Sequence, residues 1–371
     1  MTTIINGSSP SITFSDGSAQ TSATRPFLNR IINGAMVIDQ RNAGASVTPT
    51  SGTFTLDRWN ALMSQASKYS IQQNAGSITP PVGFSNYLGI TSTSAYSVGS
   101  GDYFGLYQSI EGFNFADLGF GTANAKTVTL SFWVRSSLTG TFGGSFNNYA
   151  NNRCYPFTYT ISSANTWTQA SITIAGDTSG TWVGATNAGA ASVLFGLGTG
   201  STYSGTAGAW AGSTYFSATG ATSVVGTNGA TFYITGVQLE VGSTATSFDY
   251  RPYGTEWVLA QRYCKVYRAS DSSNGYTRLG YGPAEGSTSG LAQCPVTTQF
   301  RATPSVTTSG TFSVYDGQTI TDVTSINING ATTPYSLVLS FSVASGLTQT
   351  RAYELITKTG GSGVAIISAE L

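Results

Sequence analysis

Histidine is absent from this sequence of 371 residues. Without an imidazole, the chain has no Ser-His-Asp or Cys-His nucleophile system, no histidine zinc site and no HExxH metalloprotease site. It also has no GxxxxGKS/T phosphate loop and no dinucleotide-binding glycine motif after a strand. The many glycine pairs are therefore interpreted as turn glycines, and the enzyme classes that need these motifs are excluded.

Charge is scarce as well. Sixteen basic and sixteen acidic residues make up 9% of the chain, and the formal net charge is zero. Soluble domains typically carry about 25% charged residues. A surface built from Ser, Thr, Asn and Gly produces no strong electric field, and no basic run occurs. We therefore expect no nucleic-acid partner and no attraction to an anionic membrane.

Long apolar runs are missing too. No stretch of about 18 apolar residues occurs, and no basic segment followed by an apolar block opens the chain, so we expect neither membrane insertion nor a secretory signal.

The three cysteines, Cys154, Cys264 and Cys294, include no CxxC pair and are expected to be free thiols. A bridge between Cys264 and Cys294 remains an alternative, because the sequence does not give their distance.

Glycine and aromatic residues are plentiful. The chain has 45 glycines, 12% aromatic and 40% hydrophobic residues. Glycine supplies the positive φ angles of tight turns, and aromatic side chains suit pleated strands. At this length the chain can bury the cores of two or three domains. The composition therefore predicts an all-β protein.

Eight segments between residues 68 and 241 show the period-two pattern of strands, which fits two stacked antiparallel sheets. In TVTLSFWVRSS (residues 127–137), the alternation predicts that Val128, Leu130, Phe132 and Val134 face the core, with Trp133 and Arg135 on the other side. The eight segments are KYSIQQN, YLGITSTSAYSV, YFGLYQSIEG, TVTLSFWVRSS, CYPFTYTIS, TWTQASITIAG, ASVLFGLGTG and TFYITGVQLEV.

The stretch before these strands predicts a hairpin. Ile31, Ile32, Met36 and Ile38 are expected to form two strands around an Asn33-Gly34 turn. A further strand is expected at residues 54–56. The neighbouring Asp57 and Arg58 are interpreted as a buried ion pair that positions Trp59.

Three motifs resemble segments of bacteriophage tail-fibre proteins that contain a jelly roll like that of carbohydrate-binding modules. NRIINGAMVIDQRN (residues 29–42) with the later LDRW (56–59) resembles the opening of such jelly rolls. GVQLEVG (236–242) with RPYGTEW (251–257) and QRY (261–263) resembles their closing segment. ITFSDGSAQT (12–21) is similar to units near the shaft or attachment parts of these fibres.

The resemblance extends over residues 1–306, including the strand region 113–137 and FRATPSV (300–306), which is similar to a turn in fibre tips. It implies three domains: an N-terminal attachment or shaft segment (1–26), a jelly roll (27–253) and a smaller C-terminal β tip (254–371). It also implies a homotrimer, assembled in the host cytoplasm and carried on the virion. Its expected partners are bacterial surface polysaccharide or lipopolysaccharide and, through the N-terminus, other tail or baseplate proteins.

The expected function is attachment to host glycan, without catalysis, metal or cofactor. A pyranose ring stacks on Trp or Tyr and needs only a few amide, hydroxyl or carboxylate hydrogen bonds. Tyr155 is a further candidate for stacking. Calcium is an open possibility, for which the chain offers no DxDxDG loop. The candidate glycan-binding residues are Trp133, Arg135, Tyr149, Trp182, Tyr203 and Trp210.

Two alternatives stay open. One is a glycan depolymerase, because glycoside cleavage needs only two carboxylates roughly 5–10 Å apart. The other is a structural tail or baseplate component that binds no glycan. The aromatic-rich stretch 196–229 is expected to be a long loop that either binds a ligand or packs its rings on the sandwich. The candidate acids for the first alternative are Asp102, Glu111, Asp117, Glu240 and Asp249.

Overall fold

The computed structural model describes residues 28–358 and 360–371 in full, and the backbone of three short strands before them. Those strands pair antiparallel in the order β1–β2–β3, and the rest of the expected attachment segment 1–26, including its turn at residues 15–17, lies outside the described residues. The strands are β1 (Ile4–Asn6), β2 (Ser11–Thr13) and β3 (Ala19–Gln20).

Thirteen strands between residues 54 and 241 follow. They are β4 (Phe54–Leu56), β5 (Trp59–Met63), β6 (Tyr69–Gln73), β7 (Leu88–Ser92), β8 (Tyr103–Glu111), β9 (Val128–Ser136), β10 (Gly140–Asn148), β11 (Cys154–Ile161), β12 (Thr168–Ile174), β13 (Gly189–Thr199), β14 (Ser204–Gly205), β15 (Ser217–Ala218) and β16 (Thr231–Val241). Short 3-10 turns lie at Ala75–Ser77, Gly112–Asn114, Ala116–Leu118 and Ser201–Tyr203.

These strands form a β-sandwich. One sheet has the order β11–β10–β13–β8–β5–β4 and the other β12–β9–β16–β7–β6, with antiparallel neighbours throughout, while β14 and β15 form a small parallel pair outside them. The predicted core residues of β9, Val128, Leu130, Phe132 and Val134, are fully buried. Phe132 meets Phe195 of the opposite sheet at a ring-centroid distance of 5.0 Å. The eight predicted strand segments and the jelly-roll class are thus confirmed.

The region after the sandwich begins with α1 (Tyr253–Gln261). A three-stranded sheet, β17–β25–β20, and a closed six-stranded barrel, β18–β19–β23–β22–β21–β24, follow it. A 3-10 turn lies at Ala269–Asp271. The strands are β17 (Cys264–Arg268), β18 (Arg278–Pro283), β19 (Ser289–Cys294), β20 (Ser305–Ser309), β21 (Phe312–Tyr315), β22 (Ile320–Ile328), β23 (Leu337–Val343), β24 (Ala352–Thr357) and β25 (Val364–Ser368).

The predicted hairpin at residues 31–38 is wrong. This stretch is an irregular buried loop in which Asn33 and Met36 have φ angles of 57° and 58°. Side-chain hydrogen bonds take the place of those between paired strands. The side-chain amide of Gln108 bonds to the backbone N–H and C=O of Ile32, and that of Asn33 bonds to the backbone N–H and C=O of Ile38. Buried backbone polar groups need partners, and here distant side chains supply them.

The expected Asp57–Arg58 ion pair is also wrong, although both residues are buried as predicted. Asp57 accepts hydrogen bonds from the backbone and side chain of Gln40, each 2.7 Å long. Arg58 forms its ion pair with Glu370, and its guanidinium lies 3.6 Å from the centroid of the Tyr263 ring. The two residues form the turn between β4 and β5, where Arg58 has a φ of 71°, and each side chain finds its partner elsewhere.

This arrangement joins the sandwich to the C-terminal sheets. Arg262 donates two hydrogen bonds to the buried carboxylate of Glu111 on β8, at 2.9 and 2.6 Å, and Tyr263 donates a third of 2.5 Å. Arg251 and Glu256 pair with each other and contact residues 29–33. The carbonyl groups of Arg262 and Tyr263 accept from the backbone amides of Arg301 and Ala369, so residues 251–263 contact both parts of the chain.

All three cysteines are buried free thiols, as predicted. Burial raises the pKa of Cys154 to about 11, and it raises those of Cys264 and Cys294 as well. In the part of the chain that the structure describes, no helix is long and apolar enough to cross a membrane.

Candidate functional site

The outer face of the six-stranded sheet carries the best candidate site. On β8, Phe104, Leu106 and Ile110 point into the core, so Tyr103, Tyr107 and Ser109 point outward. The register places Tyr107 opposite Asn60 on β5 and Leu194 on β13, and Ser109 opposite Ser192. Neighbouring strands thus present a patch of aromatic, hydroxyl and aliphatic side chains on one face.

The long stretch 196–229 covers one half of this face. Ser217 packs over the glycines of the sheet: a Cβ at Gly143 or Gly196 would lie 2.5 or 2.7 Å from its Oγ. The backbone amides of Thr222 and Val224 donate to the carbonyls of Thr141 and Leu197. The glycines therefore let the loop lie directly on the sheet, and the other half of the face stays open.

The open half is a cavity of about 290 Å³, which we call the cleft. Its floor comes from β5, β8 and β13, and its walls come from the β10–β11 turn and the long loop. None of its eight lining residues is charged. They are Leu62, Tyr107, Ser109, Tyr149, Asn151, Ser192, Leu194 and Phe216.

The polar groups of the cleft are neutral. The hydroxyls of Ser109 and Ser192 lie 3.0 Å apart and share a hydrogen bond. The Oδ1 of Asn151 accepts from the Nδ2 of Asn147 at 3.0 Å, which holds the Asn151 amide at the rim. Burial raises the pKa of Tyr107, and the neighbouring Tyr149 raises it further by a smaller amount. The phenol of Tyr107 therefore stays protonated and can donate a hydrogen bond.

Tyr149 forms the exposed wall of the cleft, with 43% of its surface accessible. Its ring lies over the first residue of β13, where a Cβ on Gly189 would sit 2.3 Å from Cδ2 of the ring. Its backbone amide donates to Ala190 at 3.0 Å. The absence of a side chain at Gly189 thus provides the seat for the Tyr149 ring.

Of the six candidates from the sequence, the structure places one in this cleft and one behind its wall. Tyr149 lines it directly. Tyr203 lies behind the wall, stacked on Phe216 with ring centroids 5.3 Å apart and an interplanar angle of 19°, and edge-on to Tyr103 at 5.1 Å. Tyr203 therefore supports Phe216 rather than lining the cavity.

Trp182 and Trp210 lie together in an aromatic cluster at another edge of the sandwich. Their rings are 5.6 Å apart and nearly perpendicular, and both contact Phe120 and Phe146. The indole nitrogen of Trp210 donates to Ala175 at 2.8 Å, and that of Trp182 donates to Asp177 at 3.2 Å. These rings are used in packing.

Asp177 also forms an ion pair with Arg153 beside this cluster. Burial alone raises the pKa of this carboxyl, but the hydrogen bonds from Arg153, Ser179 and Trp182 outweigh burial and hold it below its usual range.

Trp133 and Arg135 lie on the outer face of the opposite sheet. Trp133 packs beside Phe84 over Gly236, whose φ of 62° is suited to glycine. Arg135 donates to the carbonyl of Asn165 at 2.8 Å, and its guanidinium lies 5.3 Å from the Tyr233 ring centroid. This face belongs to the five-stranded sheet, so it is separate from the cleft.

Several residues of the cleft were not among the sequence candidates: Leu62, Tyr107, Ser109, Asn151, Ser192, Leu194 and Phe216. The alternation in YFGLYQSIEG already separates Tyr107 and Ser109 from the core residues of β8. That signal could have identified them. Nothing in the sequence shows that β5, β13 and the long loop meet at the same place.

The five candidate acids accept hydrogen bonds within the protein. Glu111 binds Arg262 and Tyr263, and Asp117 binds Arg30. Glu240 accepts from Gln238 and Thr246, Asp249 from the backbone of Asn29, and Asp102 from Ser64, Tyr96 and Gly99. None of them lines the cleft. Across residues 28–358 and 360–371, no group of three Cys, Asp or Glu side chains is placed to hold a metal ion.

A second cavity, of about 170 Å³, lies at the start of α1. Phe84, Phe248 and Tyr250 form one wall, with ring centroids 4.8–5.5 Å apart. Because these rings pack against each other and Arg251 is already paired with Glu256, we interpret this cavity as part of the structural junction.

No protein-family profile and no curated protein matches this chain. Among solved structures, it is similar to the enzymatically active domain of bacteriophage CBA120 tailspike protein 4, with 14% identity over 59% of this chain and a TM-score of 0.33. This chain spans only 22% of that tailspike chain.

Carbohydrate-binding modules are also similar. The module TmCBM61, solved with β-1,4-galactotriose, has 10% identity over 59% of this chain and 100% of its own, with a TM-score of 0.30. The family 11 module from Clostridium thermocellum, solved with a β-1,3-1,4-mixed-linked tetrasaccharide, has 12% identity over 53% of this chain and 96% of its own, with a TM-score of 0.27. These likenesses are distant.

Proposed function

We propose that this chain is a bacteriophage tail-fibre protein that binds a host surface glycan in the cleft. One observation carries the binding role: aromatic rings converge with neutral hydroxyl and amide groups in one open, uncharged cavity. The apolar face of a pyranose can pack on Tyr107, Tyr149 and Phe216. Its hydroxyls can exchange hydrogen bonds with Ser109, Ser192 and Asn151.

The viral role has a different basis. The resemblance of residues 29–59 and 236–263 to tail-fibre segments supports it. The low charge of the chain fits a homotrimer, because like-charged strands brought to one axis would repel each other. In this proposal the protein is a homotrimer on the virion, joined to other tail or baseplate proteins through residues 1–26. A monomeric mass in multi-angle light scattering would contradict the trimer.

The binding role is tested with purified host-type polysaccharides on an array. Tyr149→Ala and Tyr107→Ala should each weaken glycan binding about tenfold, because each removes an aromatic contact surface. Tyr253→Ala is the matched control, since Tyr253 is a comparably exposed tyrosine on α1 and lies away from the cleft. Equal binding by all four proteins would exclude the cleft as the site.

We propose binding without hydrolysis. The cleft offers no carboxylate, whereas the two-carboxylate mechanism requires a pair of them. Incubation of the protein with a bound polysaccharide should leave its chain length unchanged. Steady release of reducing ends, abolished by replacing a single acid, would favour a depolymerase. Failure to bind any polysaccharide or host cell would favour a structural tail component.

A further inference from the structure

The outer surface of the C-terminal barrel carries a row of side chains that strand register aligns. Tyr281 on β18 pairs with Gln293 on β19 on one side and with Glu354 on β24 on the other. Glu354 in turn pairs with Tyr315 on β21. Directly paired residues of antiparallel strands share a face, so these four side chains lie in one line across four strands.

The neighbouring core residues show that this line faces outward. Ala292 and Cys294 flank Gln293, and Tyr353 and Leu355 flank Glu354, and all four are buried in the barrel core. Tyr281 itself is 69% exposed. The row is therefore a surface, and its central ring is accessible.

A fixed ion pair lies beside the ring. The Nε of Arg278 donates to Oε2 of Glu354 at 2.7 Å, and the Arg278 guanidinium lies 5.6 Å from the ring of Tyr276. The two charged side chains remain 59% and 38% exposed. Glu354 thus keeps oxygen atoms available as acceptors, while Arg278 and the amide of Gln293 supply donors.

This surface borders a cavity of about 390 Å³. Pro295 and Val296, which follow β19, form the wall beyond Gln293. Lys265 holds that wall, because its Nζ donates to the carbonyl of Pro295 at 3.0 Å. The cavity is therefore bounded by Tyr281 and Gln293 on the barrel and by Pro295 and Val296 beyond them.

The backbone under Tyr281 packs closely against the neighbouring strand. A Cβ at Gly280 would lie 2.5 Å from the carbonyl oxygen of Gln293, and one at Gly282 would lie 2.3 Å from that of Leu291. Glycine on each side of Tyr281 thus allows β18 and β19 to approach closely.

We infer that Tyr281, Gln293, Glu354 and Arg278, which we call the barrel face, bind a hexose unit of a glycan as a second site separate from the cleft. The ring of Tyr281 takes the apolar face of the sugar, Glu354 accepts from its hydroxyls, and Gln293 and Arg278 donate to them. The ligand class rests on the proposed function. The position of the site does not, because no residue is common to the cleft and the barrel face.

The full-length chain and its variants are compared on an array of immobilised purified bacterial polysaccharides. Tyr281→Ala should weaken binding to at least one polysaccharide about threefold to tenfold, the range expected for the loss of one aromatic contact. Tyr281→Phe keeps the ring and should retain binding, and Tyr253→Ala should match the wild type. Gln293→Ala gives a second variant, with an expected loss of about threefold, if Tyr281→Ala does not fold by circular dichroism.

The outcomes separate the two proposals. If Tyr281→Ala and Gln293→Ala match the wild type on every polysaccharide while Tyr107→Ala is weaker, the barrel face is not a glycan site and the cleft is. If the barrel variants bind more weakly and Tyr107→Ala and Tyr149→Ala do not, the barrel face is supported and the cleft is overturned. If the wild type binds no polysaccharide, both are overturned. A change in mass by light scattering with unchanged glycan binding would assign Tyr281 to contact between copies of the chain and overturn the inference.

Discussion

The two outer faces of the sandwich use aromatic residues in opposite ways. On the six-stranded sheet, Tyr107 and Tyr149 border an open cleft. On the five-stranded sheet, Trp133 and Tyr233 also point outward, but chain segments remote in sequence cover Tyr233 and leave Trp133 half-buried. The alternation of strand residues predicts an outward side chain, and it does not predict whether that side chain meets solvent.

The cover over the five-stranded sheet is fixed by specific contacts. The hydroxyl of Tyr87 donates to the carbonyl of Ala75 at 2.8 Å and accepts from the amide of Ile78 at 2.7 Å. Trp167 donates to the carbonyl of Thr79 at 2.9 Å, and its ring lies 5.7 Å from that of Tyr87. Residues 75–79, Tyr87 and Trp167 thus close over Tyr233 and form a small core on the face that also carries the half-buried Trp133.

The largest expected effect is a loss of stability on the five-stranded sheet, and its absence would contradict the comparison of the two faces. Trp133→Ala removes a half-buried ring that packs with Phe84 and should lower the free energy of unfolding by about 2 kcal/mol, less than for a fully buried tryptophan. Polysaccharide binding should stay unchanged. Urea denaturation and the glycan array measure the two quantities.

Tyr149→Ala is the counterpart of this variant, with a loss of stability below about 0.5 kcal/mol and weaker binding. Loss of binding in folded Trp133→Ala, without loss of stability, would show that the covered face is the site.

Gly189→Ala should produce the next effect. Its Cβ would occupy the seat of the Tyr149 ring, which is exposed enough to move away. We expect about tenfold weaker glycan binding with at most about 1 kcal/mol of destabilisation, since the ring leaves the cleft instead of compressing the core. Isothermal titration calorimetry and thermal denaturation test this. Gly208→Ala is a control in the long loop, where no atom lies within 4 Å of the added Cβ, although its φ of 86° adds some strain.

The smallest expected effect is that of pH. The residues that line the cleft include no carboxylate, amine, guanidinium or thiol. Because the pKa of Tyr107 is raised above its ordinary value, its phenol remains neutral around neutral pH. Glycan affinity should therefore change less than about twofold between about pH 5 and about pH 9. A bell-shaped pH profile in the same range would instead indicate a pair of titrating groups, as in a hydrolase.

Local sequence was enough for the elements and the core of the sandwich. Period-two alternation located eight strands and the buried face of β9, because burial on one side of a sheet imposes that period directly. It missed β10, whose sequence is GTFGGSFNN. The long loop lies directly on Gly143 of this strand, so a small residue is needed there instead of the β-branched or aromatic residues that usually mark a strand.

Local sequence also failed to predict the hydrogen bonds and ion pairs that buried polar groups form with residues far away along the chain. The irregular path of residues 31–38 depends on Gln108, and Arg58 depends on Glu370, 312 positions later. A buried charge or amide must be paired, but the pattern around it does not name the partner. Burial raises the pKa of Asp57 to about 6 at the same junction, against the opposing effects of Arg41 and Gln40, and this shift depends on the assembled environment.

The sequence by itself determined an all-β, weakly charged chain without histidine chemistry, because composition and strand period are local properties. It also supplied aromatic rings suited to sugars. Only the tertiary structure decided which of those rings remain accessible, since that depends on loops that return from distant positions to cover one face and leave the other open. Trp182 and Trp210 pack in an aromatic cluster and Trp133 lies beside Phe84, whereas Tyr149, with the unforeseen Tyr107, became the wall and floor of a cleft.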